Sequence, residues 1–152
     1  MKYAFFDIDG TLSIPFYNVN GIIKCGGEDD WWKERNDTDD NVYQLCKSPK
    51  KVKTFLDNLI KNDIKCFVLS TETLEKAKQS KIKFINEKYS GIFIDIFFVE
   101  KDVEKIDFLL NFAKENNVDN ADIYYLDDTF SLCIKASNKN IDAHHISEFL
   151  EY

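Results

Sequence analysis

Five short runs of this chain are largely apolar, several of them at successive rather than alternate positions: Tyr3–Phe6, Cys66–Leu69, Phe93–Val99, Ile123–Leu126 and Ile141–His145. A strand with one wet face alternates, whereas a strand covered on both faces does not, so runs of this kind belong to a parallel sheet with helices on either side. Helical stripes lie between them. Val52, Phe55, Leu56, Leu59 and Ile60 form one, with Ser48 and Pro49 expected to supply an N-cap and a first-turn proline. Leu74, Ala77, Ile82, Ile85 and Tyr89 form a looser one, closed by Gly91, and Ile106, Leu109, Leu110 and Ala113 another, stopped near Asn116-Asn117. Leu132, Cys133 and Ala136 indicate a short fourth helix. The alternation predicts an α/β fold, a Rossmann-like three-layer sandwich with right-handed crossovers and a central parallel sheet of about five strands.

With 152 residues, the chain is expected to form a single domain over 1–152. The segment from Ser13 to Lys47 breaks the rhythm. It holds Gly26-Gly27, Trp31-Trp32 and the acidic Asp37, Asp39 and Asp40. A stretch of about 35 residues without periodicity is usually functional or disordered, so 13–48 reads as an insertion.

The net charge is −7, which argues against a duplex nucleic-acid partner, since such partners call for a basic face. Lys2 to Phe6 reads as a strand rather than a secretory leader, and no apolar run is long enough for a membrane span. Cys25, Cys46, Cys66 and Cys133 are far apart with no Cys-x-x-Cys pair. They are expected to be reduced structural thiols in a cytoplasmic protein.

The first run ends as "FFDIDGTL", placing Asp7 and Asp9 just beyond it. Ligands of open parallel sheets sit beyond the carboxyl ends of the strands. After the second run come Ser70 and Thr71, and after the fourth come Asp127 and Asp128. Side-by-side central strands would gather these carboxylates in one crevice. Like charges about 4 Å apart repel by about 4 kcal/mol at an effective dielectric of about 20, so such carboxyls either bind protons or share a cation. Oxygen ligands without His or Cys favour a hard ion, Mg²⁺ above all, and a magnesium with open positions invites a phosphate. With Asp102 as N-cap, Lys105 falls in the first turn of its helix, where a cation opposes the helix dipole. It is either a solvated surface lysine or one that reaches an anion in the crevice.

In these motifs the chain resembles the haloacid dehalogenase (HAD) superfamily, whose phosphatase members carry Asp-x-Asp-Gly-Thr after the first strand. The further elements are a Ser or Thr ending a hydrophobic strand ("CFVLST", Ser70), a lysine before the fourth strand (Lys105, with Lys101 the other candidate) and an acidic pair after it ("IYYLDDT"). The resemblance covers nearly the whole chain. This sequence departs from the pattern in three places. Leu126 stands where many members have glycine, Ser131 and Leu132 supply no later acid, and the lysine is not followed by proline.

The resemblance implies a Mg²⁺-dependent phosphomonoesterase acting on a small phosphorylated metabolite, with a nucleotide as one option. Asp7 is then the nucleophile that forms an aspartyl-phosphate, and Asp9 the acid and base, with Gly10 permitting the turn that folds Asp9 back over the site. Ser70, the backbone N–H of Thr71 at a helix start, and Lys105 bind phosphate. Asp7, the main-chain carbonyl of Asp9, Asp127 and Asp128 hold the metal. The segment 13–48 occupies the place of a cap and has the size of a small flap, in which Trp31 and Trp32 either close over a substrate or pack on the core. Alternatives are a polynucleotide end phosphatase, a phosphotransferase of the same superfamily, and a non-catalytic binding module.

Other features are read as bland. His144-His145 is expected to be structural and remote from the site. Lys76, Lys78, Lys81 and Lys83 are expected to form a solvated helix face. Gly26-Gly27 lacks the Lys-Ser/Thr of a phosphate-binding loop, and Asp37, Asp39 and Asp40 lack the other ligands of a calcium loop.

Overall fold

The apolar start of the chain, β1 (Tyr3–Phe6), lies at the centre of a five-stranded sheet. The computed structural model describes residues 2–19, 21–25, 43 and 46–150, with the backbone alone for 16–19 and 22–25. After β1 come a hairpin of β2 (Phe16–Val19) and β3 (Ile22–Cys25), then α1 (Lys50–Lys61), β4 (Lys65–Thr71) and α2 (Glu75–Lys88). β5 (Ile96–Val99), α3 (Glu104–Glu115), β6 (Ile123–Asp127), α4 (Phe130–Ser137) and β7 (Asp142–His145) complete the order. The sheet runs β5-β4-β1-β6-β7, and every pairing in it is parallel.

Strand period two divides each central strand between two cores. Ala4 and Phe6, Cys66 and Val68, and Tyr124 and Leu126 face one core, with Val52, Leu56 and Leu59 of α1 and Phe84 and Ile85 of α2. Phe5, Phe67 and Leu69, and Ile123 and Tyr125 face the other, with Ile106, Leu109 and Ala113 of α3 and Leu132 and Ala136 of α4. This is the expected three-layer sandwich, and it accounts for the apolar runs without alternation. The second core is largely aromatic. Phe5 stacks on Phe67 at 5.1 Å between ring centroids and meets Phe112 edge-on at 4.9 Å, geometries that match the ring quadrupoles.

The helix starts differ from the sequence reading. Pro49 itself is the N-cap of α1, with extended backbone and no side-chain cap, and the Ser48 side chain instead bonds Tyr89. Val103, not Asp102, is the N-cap of α3, so Lys105 is still in the first turn. β5 begins at Ile96 rather than Phe93. Cys46, Cys66 and Cys133 are buried free thiols, and burial pushes each up to about 11.

The described residues of the insertion include the antiparallel β2–β3 hairpin, with Phe16 opposite Cys25. It leaves the domain at Ile14, which exchanges backbone hydrogen bonds with Lys47 at 2.8 and 3.1 Å. Trp31, Trp32, Gly26-Gly27, Asp37, Asp39 and Asp40 lie outside the described residues. No helix among the described residues is long and apolar enough to cross a membrane.

Candidate active site

Sheet register brings the sequence-distant acids together. Phe6 is paired with Val68 on one side and Leu126 on the other, so the residues after them emerge at one edge. The Asp7 N–H donates to the Leu126 carbonyl at 3.0 Å, which sets Asp7 beside Asp127. β4 runs further, to Thr71, and carries Ser70 to the same edge. The result is a crevice of about 320 Å³ lined by Asp7, Asp9, Ser70, Thr71, Lys105 and Asp128, among others.

Lys105 lies deep in it, 2% exposed. Its Nζ is 2.9 Å from Asp7 Oδ1 and 3.0 Å from Asp127 Oδ2. Of the two readings of this lysine, the structure displays the one that reaches into the crevice. Burial works against its charge, yet the flanking Asp7 and Asp127 hold it above the ordinary lysine range. Asp127 is fully buried, and both of its oxygens accept hydrogen bonds. Oδ1 accepts from the Thr129 N–H at 2.8 Å, and Oδ2 accepts from the Tyr125 hydroxyl as well as from Lys105. Burial pushes its pKa up, but Lys105 and these donors prevail and keep it below the ordinary carboxylate value.

Asp7 and Asp128 show the opposite balance. Burial, with the charges of Asp127 and Asp9, lifts Asp7 to about 7 although Lys105 opposes it. Partial burial of its carboxyl, with the Asp127 charge, lifts Asp128 to about 6. One ammonium therefore does not neutralise this crevice, and a further cation would fit. Oxygens of Asp7, Asp127 and Asp128 lie within 4.8 Å of one another, close enough to share one ion. An all-carboxylate donor set suits a hard divalent ion such as Mg²⁺.

The turn after β1 folds Asp9 over the site. Ser13 N–H and Thr11 N–H both return to the Ile8 carbonyl, at 2.8 and 3.2 Å, and Gly10 takes φ +76°, which favours glycine. Both carboxylate oxygens of Asp9 have partners. Oδ1 accepts from the Tyr43 hydroxyl at 2.6 Å, and Oδ2 meets Lys81 Nζ at 2.7 Å.

Three sequence expectations change here, and the choice of Lys105 over Lys101 stands. Lys81 is not part of a solvated face; it is 1% exposed and holds groups of the site. The helix after Ser70 begins only at Glu75, so Thr71 is not at a helix start. It closes β4, and its hydroxyl donates to Asp102. Lys101 is exposed and Lys105 takes the buried position. His145 is not remote, because β7 pairs Asp127 with His145. Its Nε2 lies 2.7 Å from the Asp128 carbonyl, which only accepts, so Nε2 carries the hydrogen and Nδ1 accepts from the Ser147 N–H. The sequence reading also missed Tyr43, Tyr125, Glu72 and Thr129. Lys81 had a signal: it stands between Ala77 and Phe84 on the buried stripe of α2.

No protein-family model matches this sequence, and no curated protein matches it. Solved structures do. A HAD-superfamily hydrolase from Ehrlichia chaffeensis superposes with a TM-score of 0.57 over 92% of this chain and 84% of its own, at 14% identity. The fold is that of the haloacid dehalogenase superfamily. A HAD family enzyme from Bacteroides thetaiotaomicron, in complex with magnesium and inorganic phosphate, gives a TM-score of 0.56 at 11% identity, covering 95% of this chain and 93% of its own. D,D-heptose 1,7-bisphosphate phosphatase from Burkholderia thailandensis gives 0.56 at 10% identity, covering 93% and 75%. In this HAD-type fold the crevice of Asp7, Ser70, Lys105 and Asp127 stands at the carboxyl edge of the sheet, where open α/β folds bind ligands.

Proposed function

We propose that this chain is a Mg²⁺-dependent phosphomonoesterase that acts on a small phosphorylated metabolite through an aspartyl-phosphate at Asp7. The observation that carries the reading is the buried Asp7 carboxylate, held by Lys105 at 2.9 Å and facing a crevice that also presents Ser70. Phosphatases and a phosphate complex among the similarly folded structures support the same reaction class.

In this reading an Asp7 oxygen attacks phosphorus while the bond to the leaving oxygen breaks, and Asp9, which enters this step as the carboxylic acid, gives that oxygen its proton. Water then attacks the phosphorus of the aspartyl-phosphate, Asp9 takes back a proton, and the bond to Asp7 breaks to release inorganic phosphate. Lys105 lowers the repulsion between the Asp7 carboxylate and the phosphate dianion. Ser70 donates its hydroxyl hydrogen to a phosphoryl oxygen, and Thr71 lines the phosphate pocket. Asp7, Asp9 through its carbonyl, Asp127 and Asp128 would hold Mg²⁺, which when bound supplies charge stabilisation at the phosphoryl group.

The crevice volume suits a small ester. Its lining includes the exposed Glu100 and Asp102, and these acids, with the net charge of −7, disfavour a polynucleotide. The test is a panel of nucleotides, sugar phosphates and phospho-amino acids, assayed for released phosphate with Mg²⁺ and with chelator. Turnover of at least one small ester that chelator abolishes is the expected result. No release from any ester with Mg²⁺ present, or binding to oligonucleotides that outlasts raised salt, overturns it.

A further inference from the structure

Lys81 belongs to none of the elements that the reaction above uses, yet its ammonium is the hub behind them. Its Nζ lies 2.7 Å from Asp9 Oδ2, 2.8 Å from the Thr71 carbonyl and 3.1 Å from Ser70 Oγ, with Glu72 Oε2 at 3.5 Å. An ammonium has three hydrogens to donate and no lone pair, so three oxygens from three different residues match it fully. All four residues it meets line the crevice, while Lys81 itself is sealed at 1% exposed. It therefore acts on a substrate only through them.

We propose that Lys81 is a positioning residue that aims two working groups at once. The first is Ser70. Its hydroxyl has one hydrogen and two lone pairs, and with Lys81 occupying a lone pair the hydrogen is left to point elsewhere, toward the crevice that Ser70 lines. A serine that would otherwise rotate is set as a donor for a phosphoryl oxygen. The second is Asp9. Lys81 pins Oδ2 from the α2 side and Tyr43 holds Oδ1 from the end of the 13–48 segment. The carboxyl plane is thereby fixed between two anchors, and the position from which it serves the leaving oxygen is set before substrate arrives. Arrangement in advance is where such groups gain most of their effect, since a carboxyl displaced by about 1 Å loses about 10²-fold in rate.

The inference rests on the phosphatase reading, and its test separates the two. Wild type and Lys81→Met are assayed with Mg²⁺ on phenyl phosphate and p-nitrophenyl phosphate, which differ in how much their leaving oxygen needs a proton. The expected result is a kcat loss of about 10²-fold on phenyl phosphate and about 10-fold or less on p-nitrophenyl phosphate. In a double-mutant cycle, Lys81→Met is expected to add little to the KM increase of Ser70→Ala, because both remove the same oriented hydrogen. Equal losses on the two esters with additive KM effects would overturn the positioning role and leave Lys81 a structural ion pair. A wild type inert on both of these and on every ester of the panel above overturns the phosphatase reading instead. Should Lys81→Met fail to fold, ¹⁵N spectra of the wild-type lysine ammonium groups decide. A slowly exchanging signal that shifts in both Asp9→Asn and Ser70→Ala supports the hub, and the lack of such a signal overturns it.

Discussion

Gly10 and Asp128 are packed so closely that a methyl group on Gly10 would lie 2.1 Å from Asp128 Oδ2. The contact joins the turn after β1 to the loop after β6, two segments that meet only because β1 and β6 are sheet neighbours. Gly10→Ala therefore meets two obstacles. Its φ of +76° costs about 1 kcal/mol for an L side chain, and Asp128 must swing aside. The expected outcome is a modest fall in Tm and a rise of roughly ten-fold in the Mg²⁺ needed for half-maximal turnover, because a displaced carboxylate weakens a metal site by that order. A Mg²⁺ titration of activity checks it, and an unchanged midpoint would show that Asp128 does not serve the metal.

Asp7→Asn keeps the shape of the side chain and removes its nucleophilic charge. Turnover is expected to fall by at least about 10³-fold, with the circular dichroism spectrum unchanged. An Asn variant at wild-type rates would falsify the assignment of Asp7 as nucleophile.

Lys105→Met removes the one ammonium between Asp7 and Asp127 and leaves two buried carboxylates facing each other. Breaking a buried pair on one side costs about 3–5 kcal/mol, so urea unfolding of the metal-free protein is expected to show a loss of that order. The double variant Lys105→Met, Asp7→Asn is expected to recover part of the loss, since one of the stranded charges is gone. Strict additivity of the two single changes would mean that the ion pair carries no coupling.

Much of this site is written in the chain at the level of strand ends. Asp7, Ser70 and Asp127 each follow an apolar run, and parallel pairing sends strand ends to one edge, so their meeting follows from topology alone. Lys105 was legible by its odd place in the first turn of α3. Lys81 was obscured because Lys76, Lys78, Lys81 and Lys83 look alike in composition, and only the phase of the helix separates them. Ala77, Lys81, Phe84 and Ile85 share the buried stripe, while Lys76 and Lys83 are exposed. Tyr43 had no signal, since it lies in the aperiodic insertion, and its bond to Asp9 spans 34 positions. His145 was misjudged because β7 was placed in the sheet without its register. The pairing of His145 with Asp127 is what carries it to the Asp128 loop.

The carboxyls that burial lifts make stability depend on pH in a direction opposite to that of most proteins. In the folded chain Asp7 titrates at about 7 and Asp128 at about 6, against an ordinary 3.8 when unfolded. Between these values the unfolded chain has released protons that the folded chain retains, so raising the pH favours unfolding. Asp127 does not offset this. Held below its ordinary value, it adds stability that is already present above 3.8 and is lost only as pH falls further. The metal-free protein is thus expected to lose Tm as pH rises from about 4 to about 7, and then to level off. His144, held above its ordinary 6.5 by Glu148 and Asp142 although burial opposes it, loses its contribution as pH rises through its folded value, so it deepens the fall at the upper end. Asp7→Asn separates the two effects: it is expected to flatten the slope below neutrality and to raise the metal-free Tm at pH 7. Mg²⁺ requires the ionised carboxylates, so the gain in Tm that it confers is expected to grow over the same interval. Differential scanning calorimetry at a series of pH values, with Mg²⁺ and with chelator, reads all three. A metal-free Tm that rises steadily from pH 4 to 7 would mean that Asp7 is ionised throughout, and that Lys105 alone balances the crevice.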